Sequence, residues 1–178
     1  MRVVGVDPGN KGAFALFDSE TNSMSVIDVP IFRYETTKAR TKIDAYGVTS
    51  ILRHYSPDHV YIEEVFSSPQ MGVTSAFNFG NGKGMLEGVC AALDLPLTMV
   101  KPTQWKREMR IPADKKAAVM RASQLMPKLA HHFRGPRGAA MDGRAEAGLL
   151  AIYGAMDVGC PPSAAVIEVE YDDVASLK

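Results

Sequence analysis

The opening stretch RVVGVDPG, Arg2 to Gly9, is a β-branched run that halts at an acidic turn. Its valines favour a buried strand, and Asp-Pro-Gly is a turn signal. The side chain of Asp7 therefore leaves the sheet at the strand's carboxyl end. Working outward, residues 12–17 and 24–29 read as two more strands, joined by the polar connection Asp18 to Ser23. Together these make an antiparallel start of three strands.

Beyond it, residues 33–42 are basic and polar and read as an exposed loop. Asp44 is placed to cap a helix that runs to about Tyr55, where Ser56-Pro57 stops it. Residues 60–65 form the next buried strand, and residues 67–74 a loop rich in Ser, Gly and Pro. A helix over 75–93 carries Gly80, Gly84 and Gly88 four residues apart, a flat stripe suited to close approach of another backbone. Residues 97–100 form a strand. Pro102 opens a short helix through Met109, and Pro112 opens another to about Met126. A loop over 127–140 precedes a last helix over 142–157. Strands followed by alternating strands and helices predict an α/β fold, a mixed sheet covered by helices on both faces. Residues 1–160 make one domain, with 161–178 an acidic tail outside the core.

With 46% hydrophobic and 22% charged residues, the chain has the balance of a globular protein. No run reaches the roughly 18 apolar residues that span a bilayer, and the early Asp-Pro-Gly does not suit a signal peptide. Cys90 and Cys160 lack metal-ligand spacing and point to a reducing cytoplasm. The net charge of zero hides a strong asymmetry. Residues 101–144 hold eleven basic residues against Glu108, Asp114 and Asp142, a local charge of +8. The tail carries Glu168, Glu170, Asp172 and Asp173 against Lys178. Such a basic segment suits either a solvated face or a polyanionic partner.

Four further acids bear on chemistry. Glu63 and Glu64 end the strand that begins near Val60, and they point to opposite faces, so alternation does not say which belongs to a site. Asp142 and Glu146 are four apart and share one helical face. Each has an ordinary structural reading: Asp7 as a turn cap, a strand-end glutamate as a surface residue, Asp142 as a helix cap. Convergence of strand-end and helical carboxylates would instead hold hard divalent cations beside a phosphodiester.

At these residues the sequence resembles the RuvC family of Holliday-junction resolvases, in particular the RuvC-like resolvases of bacteriophages. The matching pieces are VGVDPG (4–9), YIEEVF (61–66), FGNGKGMLEG (79–88), KPTQWK (101–106) and MDGRAEAGLLA (141–151), in the family's order. The resemblance implies an RNase H-like fold, a homodimer, and paired nicking of four-way DNA junctions with Mg²⁺ or Mn²⁺, two ions per active site, in the cytoplasm of a bacterial cell. It implies Asp7, Glu63, Asp142 and Glu146 as catalytic metal ligands and so selects Glu63 over Glu64. It also implies Phe66, Lys83 and Lys115 as DNA contacts, with Lys116 serving if the register slips by one. The bacterial pattern has two helical aspartates three apart, whereas here Gly143 occupies the three-back position. Trp105 suits either the core or base stacking, and His131 and His132 either solvent or proton shuttling.

Three alternatives compete. A YqgF-type nuclease acting on RNA shares the Asp-Pro-Gly strand end but is less similar to YIEEVF and DGRAEA. A junction-binding protein that has lost cleavage would gain nothing from keeping all four acids near phosphates. An actin-like phosphotransferase needs two lobes, for which 178 residues leave no room.

Overall fold

Alternation along the first strand divides the molecule into two layers. In this computed structural model, which describes residues 1–35, 39–64, 66, 70–112, 114 and 116–169, β1 (Arg2–Val6) sends Val4 and Val6 to one face and Val3 to the other. β1 pairs antiparallel with β2 (Ala13–Asp18), and β2 with β3 (Ser23–Asp28), which gives the three-stranded start read from the sequence. On the other side, β1 pairs parallel with β6 (His59–Glu63), and β6 with β7 (Leu97–Val100). A two-residue strand, β8 (Ile167–Glu168), lies parallel to β3, so the sheet order is β7-β6-β1-β2-β3-β8.

Both faces are covered. Val4, Val6, Phe14, Leu16, Val60 and Ile62 meet α1 (Ala45–Tyr55) and α2 (Val73–Ala92). Val3, Ala15, Phe17 and Tyr61 meet α3 (Pro102–Glu108), α4 (Ala117–Leu125) and α5 (Asp142–Asp157). Small residues let α5 lie almost on the strands. A Cβ on Gly5 would come 2.4 Å from the Ala147 carbonyl oxygen, so β1 has room for α5 only because position 5 has no side chain.

Asp44 caps α1 as expected: its side chain accepts from the Tyr46 N–H, and Ser56 ends the helix in the left-handed conformation. Four expectations change. Residues 33–42 are not simply a loop but belong to a hairpin of β4 (Ile31–Glu35) and β5 (Ala39–Ile43), whose Ile43 is buried toward α2. Pro112 does not open α4, because an Asp114 turn that accepts the Lys116 N–H delays the helix to Ala117. The loop over 127–140 contains two 3₁₀ turns and buries Leu129 and Phe133. Finally, part of the expected tail joins the fold: Val166 is buried and β8 extends the sheet edge. Residues 170–178, with Glu170, Asp172 and Asp173, lie outside the described residues. Among the described residues, no helix is long and apolar enough to cross a membrane.

Candidate active site at the carboxyl ends of β1 and β6

β1 and β6 are adjacent and parallel, with Val6 opposite Ile62. Asp7 follows Val6 just as Glu63 follows Ile62, so two carboxylates end neighbouring strands at the same level. Parity then aims both toward α5: Val3 and Gly5 precede Asp7 on that face, and Tyr61 precedes Glu63. The carboxyl ends of parallel strands are where open α/β sheets bind ligands. Glu64 lies on the other parity, and its backbone N–H donates to the Val100 carbonyl.

Glu146, one turn into α5, completes the group. Lys106 of α3 stands among the acids, with Nζ 2.7 Å from Glu146 Oε1 and 3.5 Å from Glu63 Oε1. Beside it, the fully buried Trp105 donates Nε1–H to Glu63 Oε1 at 3.1 Å. Trp105 is thus a core residue with a polar duty, and base stacking is ruled out by its burial. In the sequence, Lys106 ends the KPTQWK stretch and adds to the local basic charge, with no role assigned at the acids. The signal for it was positional: Pro102 opens α3 directly after β7, which sets Lys106 one helical turn from the end of the strand beside Glu63.

The charges are strongly coupled. The Asp7 carboxyl is pushed up from 3.8 to about 6, by burial first, then by Glu146 and Glu63, while the Gly9 N–H and Lys106 pull it back. Burial also raises Glu63 against the pull of Lys106. Burial alone would lower Lys106, but Glu146 and Glu63 outweigh it and hold the ammonium charged. Three carboxylates around one ammonium leave an excess of negative charge, and the donor set is all oxygen. That composition fits a hard divalent cation such as Mg²⁺ or Mn²⁺.

The remaining sequence candidates fall into separate places. Asp142 is exposed at the first turn of α5 and lines a neighbouring cleft of about 590 Å³ with Asn10, Lys11 and Asp28. It makes no side-chain cap. Instead Gly143 faces Asp7: a Cβ there would sit 2.5 Å from the Lys11 carbonyl oxygen and 2.9 Å from Asp7 Oδ2. An acid at position 143 would therefore collide with the β1–β2 turn. Arg144 anchors this end of α5 to β3 through Asp28, at 2.6 and 2.7 Å. Phe66 is 64% exposed, so it is not core, and Lys83 Nζ lies 5.9 Å from its ring centre. Lys83 also approaches Glu87 at 3.8 Å. Lys116 is exposed at the start of α4, and Lys115 lies outside the described residues. His131 and His132 both face Glu168 of β8, at 3.4 and 2.5 Å. Both histidines thus pair at the β8 edge of the sheet, where the His132 carbonyl also accepts from Arg144 of α5.

A family model, crossover junction endodeoxyribonuclease RuvC, matches residues 3–131. The chain belongs to the RuvC family. Among curated RuvC proteins, that of Oleidesulfovibrio alaskensis is 24% identical over 108 residues, which cover 59% of this chain and 64% of that protein. That of Hydrogenovibrio crunogenus is 29% identical over 108 residues, 59% of this chain and 62% of the relative. The match thus spans less than two thirds of these relatives' length. In overall fold the chain is similar to T. thermophilus RuvC in complex with Holliday junction substrate (TM-score 0.57, 15% identity, 90% of this chain and 97% of that one). It is also similar to the fowlpox virus Holliday junction resolvase (TM-score 0.50, 17% identity, 89% and 99%). The expected mixed sheet with helices on both faces is the fold of these RuvC-type neighbours. The RuvC model ends at residue 131, before α5, so Asp142 and Glu146 are placed by this structure rather than by the match.

Proposed function

We propose that this RuvC-family chain is a metal-dependent endodeoxyribonuclease that cleaves Holliday junctions and related branched DNA by phosphodiester hydrolysis. The observation that carries the reading is the convergence of Asp7, Glu63 and Glu146 around Lys106 at the sheet's carboxyl end. Asp7, Glu63 and Glu146 would hold Mg²⁺ or Mn²⁺, two ions per site. Bound there, the ions supply a lowered water pKa and charge neutralisation at the phosphate. Asp142, exposed one turn earlier, would act from the outer side of the site, orienting a ligand or water rather than sharing the buried cluster. Trp105 holds the Glu63 carboxylate in place through its Nε1–H. Lys106 stabilises the clustered acids before metal arrives and offers a positive charge to the phosphate.

DNA contacts are assigned to Phe66 and Lys83, which lie together on the surface, and to Lys115 or Lys116 at the start of α4. A four-way junction has near two-fold symmetry, and resolving it takes two nicks, so a two-fold homodimer is part of the proposal. Helix α2 supports this. Val73 and Phe77 are 87% and 74% exposed, and a Cβ on Gly80, Gly84 or Gly88 would meet nothing within 4 Å. That open, small-residue stripe would let a partner helix come close.

A gel assay with a synthetic four-way junction, a flap and a linear duplex, each with and without Mg²⁺, tests the reading. Paired nicks in the junction that require metal are expected. Equal cutting of linear duplex, or cutting of RNA in preference to DNA, would overturn it.

A further inference from the structure

The β4–β5 hairpin is the element that sequence reading took for a loop, and nothing in the site assigned above uses it. Its register pairs Ile31 with Ile43, Phe32 with Lys42 and Arg33 with Thr41. Alternation therefore sorts its residues into two faces. Ile43 is buried and Thr41 turns to the body, where the Asn10 side-chain amide donates to its hydroxyl at 3.2 Å and its carbonyl at 3.4 Å. The opposite face carries Phe32, half exposed, with Tyr34 and Lys42. The Lys42 ammonium lies 5.7 Å from the Phe32 ring centre and 6.0 Å from that of Tyr34. Residues 31–43 hold Arg33, Lys38, Arg40 and Lys42 against the single acid Glu35, a local charge of +3.

The hairpin is also tied to the acidic site. Asn10, which tethers it, is three residues beyond Asp7 on the β1–β2 turn. Two clefts flank that turn, and the hairpin rims both. Ile43 lines one of about 250 Å³ with Pro8, Gly9 and Phe79. Ile31 lines the other, which contains Asp142.

We propose that this hairpin is a nucleic-acid grip, in which Phe32 and Tyr34 stack on unpaired bases beside the branch point while Lys42, on the same face, takes an adjoining phosphate. A half-exposed Phe32 and a partly exposed Tyr34 set beside the Lys42 ammonium are the chemistry that holds single-stranded nucleic acid. Seated on the turn that follows Asp7, it fixes where the strand leaving the acidic site lies. The inference rests on the branched-DNA reading above, and deepens it by naming unpaired bases as what is held.

The test uses the full chain without divalent metal, so that binding is read apart from cleavage. Fluorescence anisotropy is measured on a labelled four-way junction and on a linear duplex over a salt series, with 2-aminopurine at the branch to report stacking. Phe32→Ala/Tyr34→Ala should weaken junction binding by roughly ten-fold or more and abolish the stacking signal, with duplex binding little changed. Tyr34→Phe with Phe32→Trp should restore both. Lys42→Ala should weaken binding and flatten the salt dependence by about one phosphate contact. Tyr46→Ala, at a residue 87% exposed on α1, is the control expected to change nothing. Wild-type junction affinity, salt slope and stacking signal in Phe32→Ala/Tyr34→Ala and in Lys42→Ala would overturn the hairpin's role while leaving the nuclease reading intact. A wild-type chain that prefers neither junction nor duplex would overturn the nuclease reading itself, and the grip with it.

Discussion

Lys106 reaches Glu146 at 2.7 Å and so joins α3 to α5 across the end of β6. This ion pair gives the acidic site an internal cation. Lys106→Met should leave three carboxylates facing one another without it. The side chain is about a third exposed, so the loss is discounted for solvent to roughly 1–2 kcal/mol of stability in metal-free protein. Chemical denaturation with and without Mg²⁺ checks this. The deficit should shrink when Mg²⁺ is added, and an equal deficit in both conditions would contradict the role.

The raised pKa of Asp7 has a definite sign in the pH dependence of stability. The native state holds its proton more tightly than the unfolded chain between pH 3.8 and about 6. Stability of the metal-free protein should therefore fall as pH rises through that window, and stay lowered above it. Asp7→Asn removes this slope and should stabilise the metal-free chain at pH 7 by the order of 1–3 kcal/mol, with no gain below pH 4. Denaturation midpoints across pH give the answer. A destabilised variant at neutral pH would contradict the burial of that charge.

Glu63 and Glu64 separate two readings of one strand. Glu63→Gln should abolish cleavage while Glu64→Gln stays active, because only Glu63 faces α5. Trp105→Phe should lower the rate with a smaller effect on folding, since the ring volume is largely kept and the hydrogen bond to Glu63 is lost. Single-turnover cleavage alongside melting curves resolves the two effects. An active Glu63→Gln beside a dead Glu64→Gln would reverse the assignment.

The α2 stripe predicts assembly. Gly84→Leu points a side chain into open space in the single chain, so the fold should survive and dimerisation should weaken. Sedimentation equilibrium at micromolar concentration, with and without junction DNA, measures this. Wild-type protein that is monomeric in both conditions would count against paired nicking.

Local signals in the sequence were enough to read the sheet and to set Asp7 and the Glu63–Glu64 pair at strand ends, whereas the choice of Glu63 came from the resemblance. The valines of β1, the Asp44 cap and the Glu63 strand end each act through neighbours in the chain, and each stands as read. The misreadings involve contacts that only folding creates. The hairpin over 31–43 has few apolar residues, and its register is held by Ile43 burial and the Asn10 tether, both distant in sequence. The segment near Val166 looked like a tail because its partner strand lies about 140 residues earlier. Lys106 went unnoticed because its meaning depends on α3 returning beside β6. Gly143 shows the reverse case: the departure from two acids three apart was visible, but its cause, the closeness of the β1–β2 turn, was not.

A metal-dependent cleavage site built on Asp7, Glu63 and Glu146 is the core of the proposed function. Its most direct test is single-turnover cleavage of a labelled four-way junction by wild-type protein, Asp7→Asn and Glu63→Gln over a Mg²⁺ titration, with junction binding measured in parallel. Wild-type protein should cleave only in the presence of metal. Both variants should show no cleavage at any Mg²⁺ concentration while binding the junction as tightly as wild type or more tightly, because each loses a charge that repels phosphate. Wild-type rates in both variants, or cleavage that is indifferent to Mg²⁺, would contradict it.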